Sequence, residues 1–327
     1  MFESSSGKKL LIGAGLAAVS AVAFYTLSSR MTANHSTKHL DMMEELKNGK
    51  VHMKHPEQVE EKISKLISGG KDKLQVVSDF DKTMSRHRYN GNRVPSCHGV
   101  LDTSEFLPES YRAEATKLRD KYYPIEMSTK VGIAEKTEAM IKWWTTAHGL
   151  LVNCDLTKDK VSKIVENSMI RLRDHVNETL EMLKEKEVPL LIFSAGVGDI
   201  LKEAIKQRAH LHNNIHVISN FMDFDEEGKL IGFKGELIHT FNKHEVAVHH
   251  PEIFEKNKLR SNIVLLGDTL GDLTMADGMP YKQTLLTIGF LNDHISENLE
   301  VYKTKYDIVL EDDESFDVFY AILKKIL

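Results

Sequence analysis

Two aspartates separated by one residue stand at the end of an apolar run, in the segment LQVVSDFDKT that spans residues 74–83. Alternate side chains of a strand point to the same face, so Asp79 and Asp81 should emerge together where a buried strand ends. Two carboxylates with no neighbouring cation are costly there, and a hard divalent ion such as Mg²⁺ would neutralise them through oxygen ligands. Such an ion also attracts a phosphate. The pair therefore indicates phosphoryl transfer through an aspartyl-phosphate.

A second apolar run ends in a hydroxyl group followed by small residues, in VPLLIFSAGVGD at positions 188–199. Ser194 offers an O–H group, and the Ala195–Gly196 backbone offers N–H groups, which together could hold a phosphate. An ordinary strand-to-helix turn would use the same residues. Lys243 follows a further strand pattern and is by itself typical of a solvated charge, although a phosphate site needs such a cation.

A third apolar run, residues 263–266, leads into two Gly-Asp pairs within NIVLLGDTLGDLTMADG. Either Asp268 or Asp272 alone could be a helix N-cap. Two of them directly after an apolar strand favour a metal site, in which one carboxylate binds the ion and the other holds the loop or a bound water.

The spacing of these segments predicts an α/β fold with a parallel sheet, because ligands bind at the carboxyl ends of parallel strands. More than about a hundred residues separate Asp81 from Ser194, which is too many for one crossover connection. Apolar residues at three- and four-residue spacing predict helices over residues 109–123, 137–151 and 160–184. The insert is therefore expected to be a helical cap that excludes water from the active-site edge.

A second Asp-x-Asp pair, Asp223 and Asp225, serves as a comparison for the first. It leads into Glu-Glu-Gly-Lys and another apolar stretch, which predicts a hairpin turn with solvated acids.

The four segments resemble those of the haloacid dehalogenase-like phosphohydrolases, and residues 51–327 resemble the pyrimidine 5′-nucleotidase (cytosolic 5′-nucleotidase III) group of that superfamily. The stretches that carry the resemblance are SDFDKTMSR, KYYPIE, WWTTAHGLL, IFSAGVGDIL, SNFMDFDEEG, GFKGELIHTFNKH, LLGDTLGDLTMADG, IGFLND and YDIVL. The resemblance implies a Rossmann-like parallel sheet core, a nucleoside 5′-monophosphate substrate and Mg²⁺.

The resemblance also implies a role for each matched residue. Asp79 would attack phosphorus, while Asp81 would protonate the leaving 5′-oxygen and then activate water. Mg²⁺ would be held by Asp79, the Asp81 backbone carbonyl and Asp268, with Asp272 supporting. The phosphate would be held by Ser194, the Ala195–Gly196 backbone and Lys243.

The resemblance implies base recognition in the insert, at Glu126 and Trp144, although by itself Glu126 is typical of an exposed glutamate beside a helix. A carboxylate can accept hydrogen bonds from guanine N1–H and N2–H₂ or from the cytosine amine. Trp144 resembles the tryptophan of the 7-methylguanosine phosphate-specific branch, where an electron-rich indole would stack on a cationic base. Neighbouring Trp143 is predicted to pack in the core. Gly99 and His87 depart from the family pattern, so the choice among CMP, UMP and 7-methyl-GMP stays open.

Composition agrees with a soluble enzyme that carries an N-terminal hydrophobic leader. The net charge of −5 and the lack of a basic tract argue against nucleic-acid binding. Cys97 and Cys154 do not make a disulfide framework, and the scattered histidines, His210 and His212 among them, are interpreted as surface residues.

The leader contains an uncharged run, Leu10 to Leu27. We favour a membrane anchor, a transmembrane helix on an intracellular membrane such as the endoplasmic reticulum, over a signal peptide that would lead to secretion. A mitochondrial presequence is less favoured, because no arginine precedes Arg30. The expected domains are a leader (1–30), a linker (31–50), a cytoplasmic catalytic core (51–90 and 186–327) and a helical cap (91–185).

Three functions remain distinct at this stage. The first is a Mg²⁺-dependent 5′-nucleotidase; the second is a phosphatase or phosphotransferase of the same fold that acts on another small phosphate ester. The third, a non-catalytic membrane-tethered binding protein, is disfavoured because every matched catalytic position is intact.

Overall fold

The computed structural model describes residues 38–128, 130–249, 255–277, 279, 281–312 and 315–327. In this part of the chain, a mixed sheet of eight strands forms the centre of the fold. The strands are β1 (Val51–His52), β2 (Leu74–Ser78), β3 (Arg88–Tyr89), β4 (Asn92–Arg93), β5 (Leu190–Val197), β6 (Ile215–Phe224), β7 (Leu230–Lys234), β8 (Asn262–Gly267), β9 (Thr284–Leu291) and β10 (Ile308–Glu311). Strands β3 and β4 form a small separate hairpin, and the other eight form the central sheet.

The order of strands in the sheet is β1-β10-β9-β8-β2-β5-β6-β7. The six strands from β10 to β6 pair in parallel, whereas β1 and β7 are antiparallel at the two edges. This is the doubly wound order of a Rossmann-like sheet, in which the chain starts near the middle and adds strands first on one side and then on the other. The predicted parallel α/β sheet is therefore confirmed.

The helices connect and flank these strands. They are α1 (Lys38–Asp41), α2 (Pro56–Lys73), α3 (Cys97–Asp102), α4 (Glu109–Met127), α5 (Ile133–Val152), α6 (Lys158–Glu166), α7 (Val176–Glu185), α8 (Gly198–Arg208), α9 (Lys243–His249), α10 (Ile295–Lys305) and α11 (Asp317–Ile326), with 3₁₀ helices at Glu44–Lys47 and Leu270–Ala276.

The central strands are apolar because both faces of the sheet are covered. Every residue of β2 and of β8 is buried, as expected for strands between two layers of helices. A separate apolar cluster lies between α4 and α5, where Tyr122, Met140 and Trp143 pack together. This confirms that Trp143 packs in a core.

The helix predicted over residues 160–184 is wrong in its middle part. The chain forms α6 and α7 there, with residues 167–175 non-helical between them. Leu172 forms a bridge with Ser85, and buried Arg173 donates to the Thr83 carbonyl at 2.8 Å. These long-range hydrogen bonds outweigh the helical spacing of the apolar residues, which a local pattern does not reveal. The other two predicted helices are present as the longer α4 and α5.

The second Asp-x-Asp pair lies at the predicted hairpin. Strands β6 and β7 pair antiparallel, and Asp225 Oδ1 accepts a hydrogen bond from the Lys229 backbone N–H in the turn. Asp225 thus lies at the turn, whereas Asp223 is a residue of β6 that pairs with Gly232 of β7.

The transmembrane prediction is corrected. Within the residues that the structure describes, none of the helices combines the length and the apolar character needed to cross a bilayer. The run for which the anchor was predicted, residues 10–27, lies outside the described residues. The division into core and cap remains a prediction.

Candidate active site

The predicted site residues come from strands that are neighbours in the sheet. Asp79 directly follows β2, Ser194 lies near the end of β5, and Asp268 directly follows β8. Because β8, β2 and β5 are adjacent and parallel, their carboxyl ends meet. The structure thereby brings together segments that are almost two hundred residues apart.

Three carboxylates gather at this edge. Asp79, Asp268 and Asp272 each place an oxygen atom within 4.8 Å of the others. Burial, followed by repulsion from Asp79 and Asp272, raises the pKa of Asp268 well above its ordinary value. Burial also raises the pKa of Asp79, to about 7, against the opposing effect of Lys243. A buried group of this composition could hold a hard divalent cation, which would relieve the repulsion.

Lys243, the first residue of α9, is buried and bridges two of these carboxylates. Its Nζ lies 2.6 Å from Asp79 Oδ1 and 2.7 Å from Asp272 Oδ1, and it donates to the Phe193 carbonyl at 3.0 Å. An ammonium group has three donors, so these partners use all of them. Lys243 therefore neutralises and orients Asp79, and a phosphate would interact with it mainly through its charge.

Asp272 is largely engaged by protein groups. Its Oδ2 accepts from the backbone N–H groups of Asp268 and Thr269, at 3.0 and 2.8 Å, and from the Thr269 hydroxyl at 3.0 Å. Together with the contact to Lys243, these bonds fix the loop that carries Asp268. This arrangement suits a residue that supports a metal site.

Asp81 points to a different side of the site. Its Oδ1 accepts a hydrogen bond of 2.9 Å from the Cys97 backbone N–H, at the start of α3, and its side chain is not part of the three-carboxylate group. Burial raises the pKa of Asp81. A carboxyl group that binds protons more readily than usual is suited to general acid catalysis.

The segment after Phe193 packs tightly beside Asp81. A Cβ atom at Gly196 would lie 2.8 Å from Asp81 Oδ2 and 3.0 Å from Cys97 Cβ, so only glycine fits without displacement. The Gly196 N–H donates to Ser194 Oγ at 3.0 Å, which leaves the serine O–H to donate elsewhere. Ala195 and Gly196 also line the site.

These residues open into a cavity of about 270 Å³ that also reaches the predicted base-binding residues. Glu126, near the end of α4, accepts a hydrogen bond of 2.9 Å from the Thr240 hydroxyl, and burial raises its pKa. Trp144 lies on α5 and lines the same cavity. Residues from α4 and α5 therefore line the same cavity as the carboxylates at the sheet edge.

Two rings already stack on the Trp144 indole. Their centroids are 4.0 Å away for His98 and 4.3 Å away for Trp143. His98 also contacts a second histidine, with its Nε2 3.4 Å from His148 Nε2. The His148 ring in turn stacks on Phe233. A nucleobase that stacks on Trp144 must use the remaining indole surface or displace His98.

Of the two departures from the family pattern, Gly99 lines the cavity, whereas His87 is buried outside it with Nε2 3.1 Å from Asp293.

Sequence reasoning missed Lys82, His98 and Thr240. Only Lys82 carried a signal, since it directly follows Asp81. His98 and Thr240 depend on contacts between distant segments. Within the described residues, no carboxylate lies within 4.0 Å of the Lys82 ammonium, although Asp268, Glu126 and Asp81 favour its charged form against the effect of burial.

Comparison with known proteins identifies the family. The family model described as "Pyrimidine 5′-nucleotidase (UMPH-1)" matches residues 82–327. The chain belongs to the pyrimidine 5′-nucleotidase family. It is accordingly a 5′-nucleotidase, a hydrolase of phosphoric monoesters. The match begins just after Asp81, and the structure adds the aspartate pair to the same site.

Individual relatives agree with this family. A curated protein of Rattus norvegicus named 7-methylguanosine phosphate-specific 5′-nucleotidase is 48% identical over 275 residues, which cover 84% of this chain and 92% of the relative. A crystal structure of cytosolic 5′-nucleotidase IIIB bound to cytidine has a TM-score of 0.82 at 36% identity and covers 88% of this chain and 97% of its own.

A more distant solved structure supports the fold alone. It is a haloacid dehalogenase family hydrolase from Salmonella enterica, with a TM-score of 0.53 at 15% identity over 80% of this chain and 74% of its own. The predicted haloacid dehalogenase-like fold class of this nucleotidase is confirmed.

Proposed function

We propose that this chain hydrolyses nucleoside 5′-monophosphates with Mg²⁺ through an aspartyl-phosphate on Asp79. The observation that carries the proposal is the arrangement of Asp79, Asp268 and Asp272 around Lys243, with Asp81 beside them, in the cavity that contains Glu126 and Trp144. The donor set fits Mg²⁺, because its ligand atoms are carboxylate oxygens, which this ion prefers. When bound, the ion would offset charge on the phosphate oxygens.

The chain's own residues supply the remaining chemistry. Asp79 uses Oδ1 to accept from Lys243, so its second oxygen is the nucleophile. Asp81, with its raised pKa, donates a proton to the departing 5′-oxygen and then accepts one from the water that hydrolyses the aspartyl-phosphate. The Ser194 hydroxyl and the Ala195–Gly196 backbone hold the phosphate. Asp79, Asp268 and the Asp81 carbonyl would hold the metal, with support from Asp272.

For the substrate, we propose nucleotides of 7-methylguanine, with CMP and UMP as weaker substrates. Several relatives at 44–48% identity are named for 7-methylguanosine phosphate. Glu126 would accept hydrogen bonds from the base, and Trp144 would stack on it. We also propose that residues 91–185 act as the cap. Because relatives are named cytosolic, we propose the cytosol as the compartment of the catalytic part.

The decisive experiment compares turnover in Asp79→Asn with that of the unmodified enzyme on 7-methyl-GMP, CMP, UMP and a sugar phosphate. Removing the nucleophile should lower kcat by about 10⁴-fold or more while the circular dichroism spectrum is retained. Asp223→Asn, in the second Asp-x-Asp pair, is the matched control and should be fully active. Unreduced activity of Asp79→Asn would show that Asp79 is not the nucleophile. Release of phosphate from the sugar phosphate alone would show that the substrate is another small phosphate ester and not a nucleotide.

A further inference from the structure

A second group of side chains with metal-ligating atoms lies away from the active site. Glu181 belongs to α7, and His210 and His212 belong to the connection between α8 and β6. A carboxylate oxygen of Glu181 and one ring nitrogen from each histidine all lie within 4.8 Å of one another. The connection leads into the amino-terminal end of β6, whereas the nucleotidase site lies at the carboxyl ends of the strands.

The separations match those expected around a small ion. Glu181 Oε1 is 2.7 Å from His210 Nδ1 and 3.0 Å from His212 Nε2. Ligands bound tetrahedrally at 2.0–2.1 Å would be separated by about 3.3 Å, so a shift of only a few tenths of an ångström would admit an ion. The two imidazole centroids are 5.8 Å apart and their planes are tilted by 39°, so the rings do not block each other.

Hydrogen bonding between these three residues is incomplete. His212 Nε2 is buried, and despite its distance of 3.0 Å from the carboxylate it has no hydrogen bond of acceptable geometry. His210, by contrast, has 71% of its side chain exposed, so solvent and ions can reach the group. A buried imidazole nitrogen without a hydrogen bond, beside an accessible imidazole and a carboxylate, is an arrangement that a bound metal ion would satisfy.

We propose that Glu181, His210 and His212 form a binding site for a divalent transition-metal ion such as Zn²⁺. Two imidazoles and one carboxylate suit Zn²⁺, with water as a fourth ligand, whereas Mg²⁺ prefers oxygen ligands. A bound ion links α7 to the segment before β6. Its expected effect is therefore on stability, with no direct effect on hydrolysis.

The test is calorimetric titration of Zn²⁺ into untagged full-length protein, stripped of metals and kept in excess Mg²⁺ so that the carboxylate site is filled. We expect a single equivalent of Zn²⁺ to bind and to raise the melting temperature. Replacing Zn²⁺ by Co²⁺ should give the visible absorption bands of nitrogen-ligated cobalt. His210→Ala and Glu181→Gln should abolish the binding, the bands and the rise in melting temperature.

The control is His52→Ala. His52 Nε2 lies 2.8 Å from Glu311 Oε2, so it forms a histidine–glutamate pair without a second histidine, and the variant should bind Zn²⁺ as the unmodified protein does. Because His210 is exposed, its replacement should not impair folding, which leaves the binding result interpretable. Absence of stoichiometric binding, or binding that survives both His210→Ala and Glu181→Gln, would overturn the proposal.

Discussion

At the scale of single residues, the site is governed by an excess of negative charge. The cavity is lined by six acidic residues and three basic ones: Asp79, Asp81, Asp102, Glu126, Asp268 and Asp272 against Lys82, Arg119 and Lys243. When all are ionised, the acids exceed the cations by three charges, so one divalent ion would offset most of the excess. Burial makes this imbalance costly, so metal binding and the protonation of Asp81 are two ways of relieving the same repulsion.

Lys82 should contribute to substrate binding, because it lines the cavity and, in the described part of the chain, its ammonium group has no carboxylate partner within 4.0 Å. We expect Lys82→Met to raise KM for nucleotides by about tenfold or more, the loss of one charge-assisted contact, with a smaller change in kcat. Methionine and lysine face similar strain at the positive φ of 62° found here, so the backbone cost is matched. Steady-state kinetics measures the effect. Lys121→Met, on the exposed side of α4, should be unchanged; an equal rise in its KM would show that the effect is non-specific.

Trp144 should set the preference for a cationic base. We expect Trp144→Tyr to lower the ratio of kcat/KM for 7-methyl-GMP to that for CMP by less than about 30-fold, because tyrosine retains part of a cation–π energy of about 2 kcal/mol at most. Met140→Ala is the comparison, since that side chain is buried in the α4–α5 cluster and does not line the cavity, so its loss should reduce stability without changing the ratio. A ratio that is the same in Trp144→Tyr and in the unmodified enzyme would contradict the stacking proposal.

At the scale of elements, the ends of strands and the starts of helices position the reactive groups. The N-terminus of α3 holds Asp81 through the Cys97 N–H, and buried Arg173 donates to the carbonyls of Lys82 and Thr83 just beyond it. Asn292, after β9, donates to the same Lys82 carbonyl at 3.1 Å. The loop that follows Asp81 is thus fixed by residues from the insert and from the other side of the sheet.

Close packing at Gly196 predicts that one added methyl group will disturb catalysis. In Gly196→Ala the new Cβ would meet Asp81 Oδ2 and Cys97, so the acid must shift. A misplacement of about 1 Å can cost about 10²-fold, and we expect kcat to fall by that order with little change in overall folding. The measurement is kcat beside a thermal melt. Gly149→Ala on α5, where a Cβ would meet no atom within 4 Å, should retain full kcat; the argument fails if both variants behave alike.

The sequence was informative where chemistry follows a buried strand. Asp79 and Asp268 were predictable because apolar runs end at those residues and parallel strands end at one edge. The interruption at residues 167–175 was not predictable, because apolar spacing continues through it and the deciding bonds reach Ser85 and Thr83. Thr240 and His98 were missed for the same reason, since each acquires its role from a segment distant in sequence.

At the scale of the whole molecule, the strand order places the reacting carboxylates next to helices that come from the insert. Strands β8, β2 and β5 form the centre of the sheet, and the chain leaves the sheet after β2 to form α3 to α7 before it returns as β5. The residues proposed for phosphate chemistry and those proposed for base recognition therefore come from separate parts of the chain and line one cavity. The His98–His148 pair lies on the insert side of this contact, and His148 reaches β7 of the sheet by stacking on Phe233.

This buried histidine pair should make the stability of the molecule depend on pH. Burial lowers the pKa of His148 to about 4, and burial together with the neighbouring His148 lowers the pKa of His98 well below its ordinary value. Between about pH 6.5 and 4 the unfolded chain binds more protons at these residues than the folded chain, so their contribution to stability is complete above that range and is lost as the pH falls. Each histidine contributes a slope of at most about 1.4 kcal/mol per pH unit in the free energy of unfolding.

Buried Asp79 and Asp268 have raised pKa values and act in the opposite direction, so the comparison must be made between proteins that share them. Urea unfolding at several pH values should show a shallower loss of stability on acidification in His148→Gln than in the unmodified protein, whereas equal slopes would mean that the pair does not resist protonation.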